Sequence, residues 1–209
     1  MIKIIKNLKN NRILYLAIGF TLVFFFYLIL VLVPASSCFR IDFGSNSLGL
    51  SFSYTKDMVQ SFFESRTQDQ LLCYSQFLKM WDPILSLVST MMFGSWIVCL
   101  FKNKRLFLIA PTILGMIADW SENYTELLRI ETYLNSSTIS ETLVSLGSGI
   151  NSFKFAMIGL TYLIILTGIM IALKIFLTNL IFKKKHHNKK IFGLKYTTIT
   201  QPFFKFLKK

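Results

Sequence analysis

Residues 13–33 read ILYLAIGFTLVFFFYLILVLV, 21 residues without a charge. A helix rises ~1.5 Å per residue, so about 20 such residues cross a ~30 Å hydrocarbon core. Three further stretches have the same character. Pro83 to Phe101 carries no charge, Leu106 to Leu128 is apolar until Asp119, and Phe155 to Leu173 again carries none. The reading is an all-α membrane protein, a four-transmembrane-helix bundle with spans at 13–33, 82–101, 106–128 and 154–182. Of the 209 residues 53% are hydrophobic, which leaves too little chain outside the spans for a soluble catalytic domain of ordinary size. A signal peptide is the competing reading of 13–33, with Ala35-Ser36-Ser37 resembling a cleavage site, but the apolar run exceeds a 7–15-residue signal core.

Working outward, the charges set the topology. The net charge is +13, yet the basic residues are segregated. Lys3, Lys6, Lys9 and Arg12 precede the first span. Lys102, Lys104 and Arg105 fill the turn 102–105, and the tail 183–209 is rich in lysine. All ten acids fall on the opposite side or in the outer half of a span. The positive-inside rule places both termini in the cytoplasm of a multi-pass plasma-membrane protein, the bacterial inner membrane if the source is bacterial. Basic charge beside a bilayer points to anionic lipid at the tail, at about 1 kcal/mol per residue, and away from nucleic acid.

The long outer segment 34–81 has its own pattern. Phe39, Ile41 and Phe43, then Leu48, Leu50, Phe52 and Tyr54, alternate with polar residues about Gly44-Ser45-Asn46-Ser47, which predicts a small hairpin over 39–54. Thr55 is a candidate helix cap, and short amphipathic helices are expected over 56–81 on the outer surface, with Trp81 as an interfacial anchor. Cys38 and Cys73 share this segment, where disulfides persist, and are the candidate pair. Asp82-Pro83 reads as the cap and first position of the second span, and an outer loop is expected over 129–153, with a short helix beginning at Ser140-Glu141-Thr142.

The polar residues of the third span carry the functional interest. Asp119, Glu122, Asn123 and Glu126 are spaced i, i+3, i+4, i+7 and form one stripe. Asp119 stands ~20 Å along the helix from Leu106, within hydrocarbon depth. A carboxylate there costs at least ~2.5 kcal/mol, so it should face the bundle and be paired. Asp82 and Lys154 open their spans at the same level, so Asp82, Asp119, Glu122, Asn123 and Lys154 are the candidate polar site, with Glu126 taken as a surface residue. A structural network of ion pairs accounts for them. So does a pocket open to the outside, and oxygen ligands of this kind suit Ca²⁺ or Mg²⁺, although no cofactor is otherwise indicated. His186 and His187 are adjacent in the tail and share no helical face, and no nucleophile–base motif or phosphate-binding glycine loop occurs.

Trp-Asp-Pro at 81–83, Asp-x-x-Glu-Asn at 119–123 and Lys154 opening the last span resemble a loosely defined group of uncharacterised four-helix bacterial integral membrane proteins. The resemblance covers about residues 13–175 and implies topology and site residues, not a reaction. Two function classes follow. The first is a non-enzymatic protein whose outer segment meets a membrane or outer-face protein partner or lipid. The alternative is a membrane enzyme or hard-cation-binding protein that uses the polar pocket.

Overall fold

The structure, a computed structural model, describes the backbone of residues 11–41, 47–101 and 105–204, and side chains over 12–41, 47–101 and 107–179. The chain divides into two compact units, residues 1–166 and 167–209. The second holds the continuation of the last helix. The basic side chains expected at 1–10, 102–104 and 183–209 lie outside the described residues.

Five helices organise the described residues. Helix α1, Asn11–Tyr27, runs on through a π turn, Leu28–Leu32, and a last α turn, Val33–Ala35. Helix α2 is Lys56–Glu64, α3 is Gln68–Leu100, α4 is Arg105–Ser136 and α5 is Glu141–Phe204. Among the described residues, three helical stretches are long and apolar enough to cross a membrane: Arg12–Phe39, Gln68–Leu100 and Glu141–Asn179. Helix α4 is not among them. It carries Glu122, Glu126 and Arg129 on its buried side.

Several boundaries differ from the sequence reading, each for a local reason. Helix α3, the expected second span, does not begin at Asp82. Thr67 caps it, its hydroxyl accepting from Gln70 N–H while the Gln70 side chain accepts from Thr67 N–H, and the helix then runs through Pro83. Side chains of neighbouring helices also bond to this stretch: Tyr27 OH donates to the Trp81 carbonyl at 2.7 Å and Trp120 Nε1 to the Pro83 carbonyl at 3.3 Å. Asp82 is therefore an interior helical residue whose side chain is free for other work. Nor is 129–153 a loop. Helix α4 continues to Ser136, and α5 starts at Glu141, with Ser140 Oγ accepting from Leu143 N–H, more than three turns before Lys154.

The hairpin over 39–54 is also corrected. No strand occurs among the described residues; Ser37–Phe39 and Leu48–Leu50 are 3₁₀ turns, and the proposed hairpin turn at 44–46 lies outside the described residues. The stretch 47–54 is instead an irregular strap. Its backbone pairs with side chains of α5 rather than with another strand. Asn151 Nδ2 donates to the Ser51 carbonyl, Ser152 Oγ to the Phe52 carbonyl at 3.0 Å, and Lys154 Nζ to the Gly49 carbonyl at 3.0 Å. Tyr54 N–H donates to Ser148 Oγ at 3.0 Å. Of the alternating apolar residues, Phe39, Leu48 and Tyr54 are buried while Leu50 and Phe52 are exposed, so the alternation does not mark one buried face.

Beneath the strap sits the apolar core. Phe39, Leu48, Val59, Phe62, Phe63, Leu71, Tyr74, Phe77, Ile130 and Val144 cluster there, drawn from the strap and from α2 to α5. Helix α2 joins it as the spacing of Val59, Phe62 and Phe63 requires, capped by Thr55 Oγ1 accepting from Met58 N–H. Arg66 is buried, donating to the Phe39 carbonyl at 3.0 Å and the Phe62 carbonyl at 2.8 Å, and burial lowers its pKa. A disulfide joins Cys38 to Cys73, 35 residues apart in sequence, and ties the end of the first helical run to α3. The apolar helices present the opposite picture: Phe26, Leu30, Leu163 and Met170 are all exposed.

Candidate polar site

Helix α4 brings the site together because its polar stripe faces both α3 and α5. Antiparallel packing sets Asp119 and Glu122 opposite Lys154, one level above a hydroxyl pair, Thr112 and Thr161, at 3.2 Å. Lys154 Nζ lies 2.7 Å from Glu122 Oε2, 3.3 Å from Asp119 Oδ1 and 3.0 Å from the Gly49 carbonyl. An ammonium has three N–H donors, and three acceptors surround this one. Lys154 and Glu122 are buried; the Asp119 side chain retains 17% of its exposure. Gly49 packs closely against this pair. A Cβ there would stand 3.2 Å from Glu122 Oε2, tighter than ordinary contact.

Asp82 and Asn123 complete the set. Asn123 Nδ2 donates to Asp82 Oδ2 at 2.8 Å, across from α4 to α3. Asp82 and Asp119 both line a cavity of about 210 Å³ that extends from this level toward Thr112 and Thr161. Its polar walls are Ser86, Ser89 and Thr90 from α3, Thr112 from α4 and Thr161 from α5. Phe24, Phe93 and Tyr162 contribute aromatic rings. Glu122 and Lys154 do not line it. No group of three or more Asp, Glu, His or Cys side chains among the described residues could hold a metal ion.

A second polar cluster continues the first and was not anticipated. Glu126, read as a surface residue, is fully buried and accepts from Tyr74 OH at 2.8 Å, which in turn lies 3.1 Å from Ser47 Oγ. Arg129 is buried against the Tyr54 ring, with its Nη2 donating to Tyr54 OH at 2.9 Å. Burial pushes the Tyr54 hydroxyl above its ordinary pKa, against the pull of Arg129. Glu122 Oε1, Glu126 Oε2, Arg129 Nη1 and Asn151 Oδ1 are buried without a hydrogen bond. Buried polar atoms are normally satisfied, so ordered water is expected among them. A signal was available: Arg129 extends the stripe 119, 122, 126 by one further step of three. The cost of stranding Glu126 was the reason to look for a partner there.

Gly147 is the closest approach in this cluster. A Cβ there would fall 2.5 Å from Tyr54 OH, 2.9 Å from Thr125 Oγ1 and 3.2 Å from Arg129 Nη2. Gly147→Ala is expected to destabilise by about 1–3 kcal/mol through overpacking. Gly149→Ala, two residues on with nothing within 4 Å, should be neutral or stabilise by roughly 0.5–1 kcal/mol. Paired thermal melts in detergent check the contrast; equal melting temperatures would remove the tight packing from the account.

No family model matches the sequence, and neither the curated proteins nor the solved structures contain a match.

Proposed function

We propose that the chain is a multi-pass membrane protein, with α1, α3, α4 and α5 as its four spans, that binds a small ligand in the cavity between Asp82 and Asp119. The observation that carries this reading is the cavity itself, about 210 Å³, where two carboxylates and five hydroxyl side chains meet. Ligand sites combine apolar walls with a few convergent polar groups, and this cavity has both. The membrane part rests on the exposed apolar faces of the long helices, which water would penalise and lipid would not. With the basic ends in the cytoplasm, the disulfide and the strap face outward and the cavity opens in the outer leaflet. The resemblance to uncharacterised bacterial four-helix proteins agrees with this arrangement and adds no reaction.

The strap argues against the outer segment as the main functional surface. Its backbone and Tyr54 are spent on Lys154, Asn151, Ser152 and Arg129 inside the protein. A second reading keeps it as a contact for lipid or a protein partner, favoured by Leu50 and Phe52, 76% and 63% exposed.

Thiol accessibility tests the pocket. In a Cys99→Ala background, Ser89→Cys and Thr90→Cys are expected to react with a small water-borne thiosulfonate, as exposed Leu50→Cys does. Ala17→Cys, at a fully buried position, should stay silent. If both pocket thiols are as silent as Ala17→Cys, the binding reading fails.

A further inference from the structure

We propose that the ligand of this pocket carries an ammonium group, primary or alkylated, seated between Asp82 and Asp119. The inference rests on the pocket reading above and assigns the ligand's chemistry.

The hydrogen-bond inventory leads to it. Lys154 is the cation at this level, and its three donors are taken by Glu122, Asp119 and the Gly49 carbonyl. It has no proton left for an anionic guest. The carboxylates are not saturated. Asp82 uses Oδ2 on Asn123 and Asp119 uses Oδ1 on Lys154, so one oxygen of each is left for the cavity both residues line. Of the two carboxylates that line the cavity, Asp119 shares the Lys154 ammonium with Glu122, and Asp82 makes no ion pair among the described residues. The imbalance calls for a cation or a proton from outside, because an unmatched charge at this depth is expensive.

An independent feature points the same way. Ser86 is 8% exposed and lines the cavity, and its hydroxyl makes no hydrogen bond among the described residues. A hydroxyl on the wall of a cavity can donate to or accept from a guest. The remaining walls suit an organic cation better than a bare ion. Phe24, Phe93 and Tyr162 line the cavity, and ring faces attract ammonium groups, alkylated ones included. Metal ions lack support, since no three carboxylate, His or Cys side chains converge among the described residues.

The same chemistry has two sources, a free alkylammonium compound in water and the amine headgroup of a phospholipid. The experiment separates them. Ser89→Cys in the Cys99→Ala background is treated with ethylammonium thiosulfonate and with its ethylsulfonate counterpart, each rate normalised to Leu50→Cys. The cationic reagent should be faster by roughly tenfold or more, as expected for a cleft lined by one sign of charge. The preference should collapse in Asp82→Asn and Asp119→Asn, provided each still melts cooperatively. Protection of Ser89→Cys by tetramethylammonium, compared with sodium at equal ionic strength, assigns an aqueous ligand. Protection confined to phosphatidylethanolamine vesicles, and absent in phosphatidylglycerol, assigns a lipid headgroup. Equal rates for the two reagents, or protection by neither ligand, overturn the ammonium assignment while leaving the pocket in place. Silence toward both reagents overturns the pocket as well.

Discussion

Lys154→Met is expected to destabilise the protein by about 3–5 kcal/mol, because it strands buried carboxylates rather than merely deleting a contact. Glu122 has no exposure to water and holds Lys154 at 2.7 Å. Without the ammonium, Glu122 must ionise alone or take up a proton, and both cost free energy. Lys154→Met combined with Glu122→Gln removes the stranded charge, and the double variant should recover part of the loss. Asp119 keeps some exposure and is stranded less severely. Thermal melts of the single and double variants in one detergent make the comparison. Equal and mild losses would show that Lys154 is a solvated residue, and the network would fall with it.

The second large effect is expected at the disulfide. Cys38 and Cys73 are separated by 35 residues, and the segment between them holds the strap and α2. Releasing a loop of that length returns chain entropy to the unfolded state, a loss of about 4 kcal/mol in the loop-closure model. Cys38→Ala with Cys73→Ala should therefore melt well below the parent. The strap should also become the first site of proteolysis, because its backbone is held to α5 by single hydrogen bonds. A double variant that melts with the parent would mean that packing of Phe39, Phe62 and Tyr74 holds the segment without the crosslink.

What could be read in advance followed the physics that is local or additive along a helix. Rise per residue placed Asp119 and Lys154 at one depth, and the i, i+3, i+4 spacing put Asp119, Glu122 and Asn123 on one face. The structure brings those residues within 3.3 Å or less of their partners. The failures concern groups whose partners are distant in sequence. Period-two alternation over 39–54 cannot tell a strand from a strap, because the deciding partners, Ser148, Asn151, Ser152 and Lys154, lie about a hundred residues away. Asp82-Pro83 has the composition of a helix start. The Thr67–Gln70 capping box earlier in the chain overrides it, and the helix runs on through Pro83. Glu126 and Arg129 were missed for a further reason. The helix was taken to reach the surface near Leu128, whereas α4 runs on to Ser136 under the strap, so residues expected in water are buried.

The membrane arrangement underlies both the pocket and its ligand, and cysteine mapping in intact cells tests it most directly. Leu50→Cys and Ser136→Cys, both exposed, should react with a membrane-impermeant maleimide added from outside. Asn103→Cys and Asn188→Cys, in the basic turn and tail, should react only after the membrane is opened. That outcome places the strap and the Asp82–Asp119 cavity at the outer face of a four-span bundle. Outside labelling of Asn103→Cys would mean that α3 and α4 do not both cross, and would contradict the four-span arrangement and the outer-leaflet site built on it.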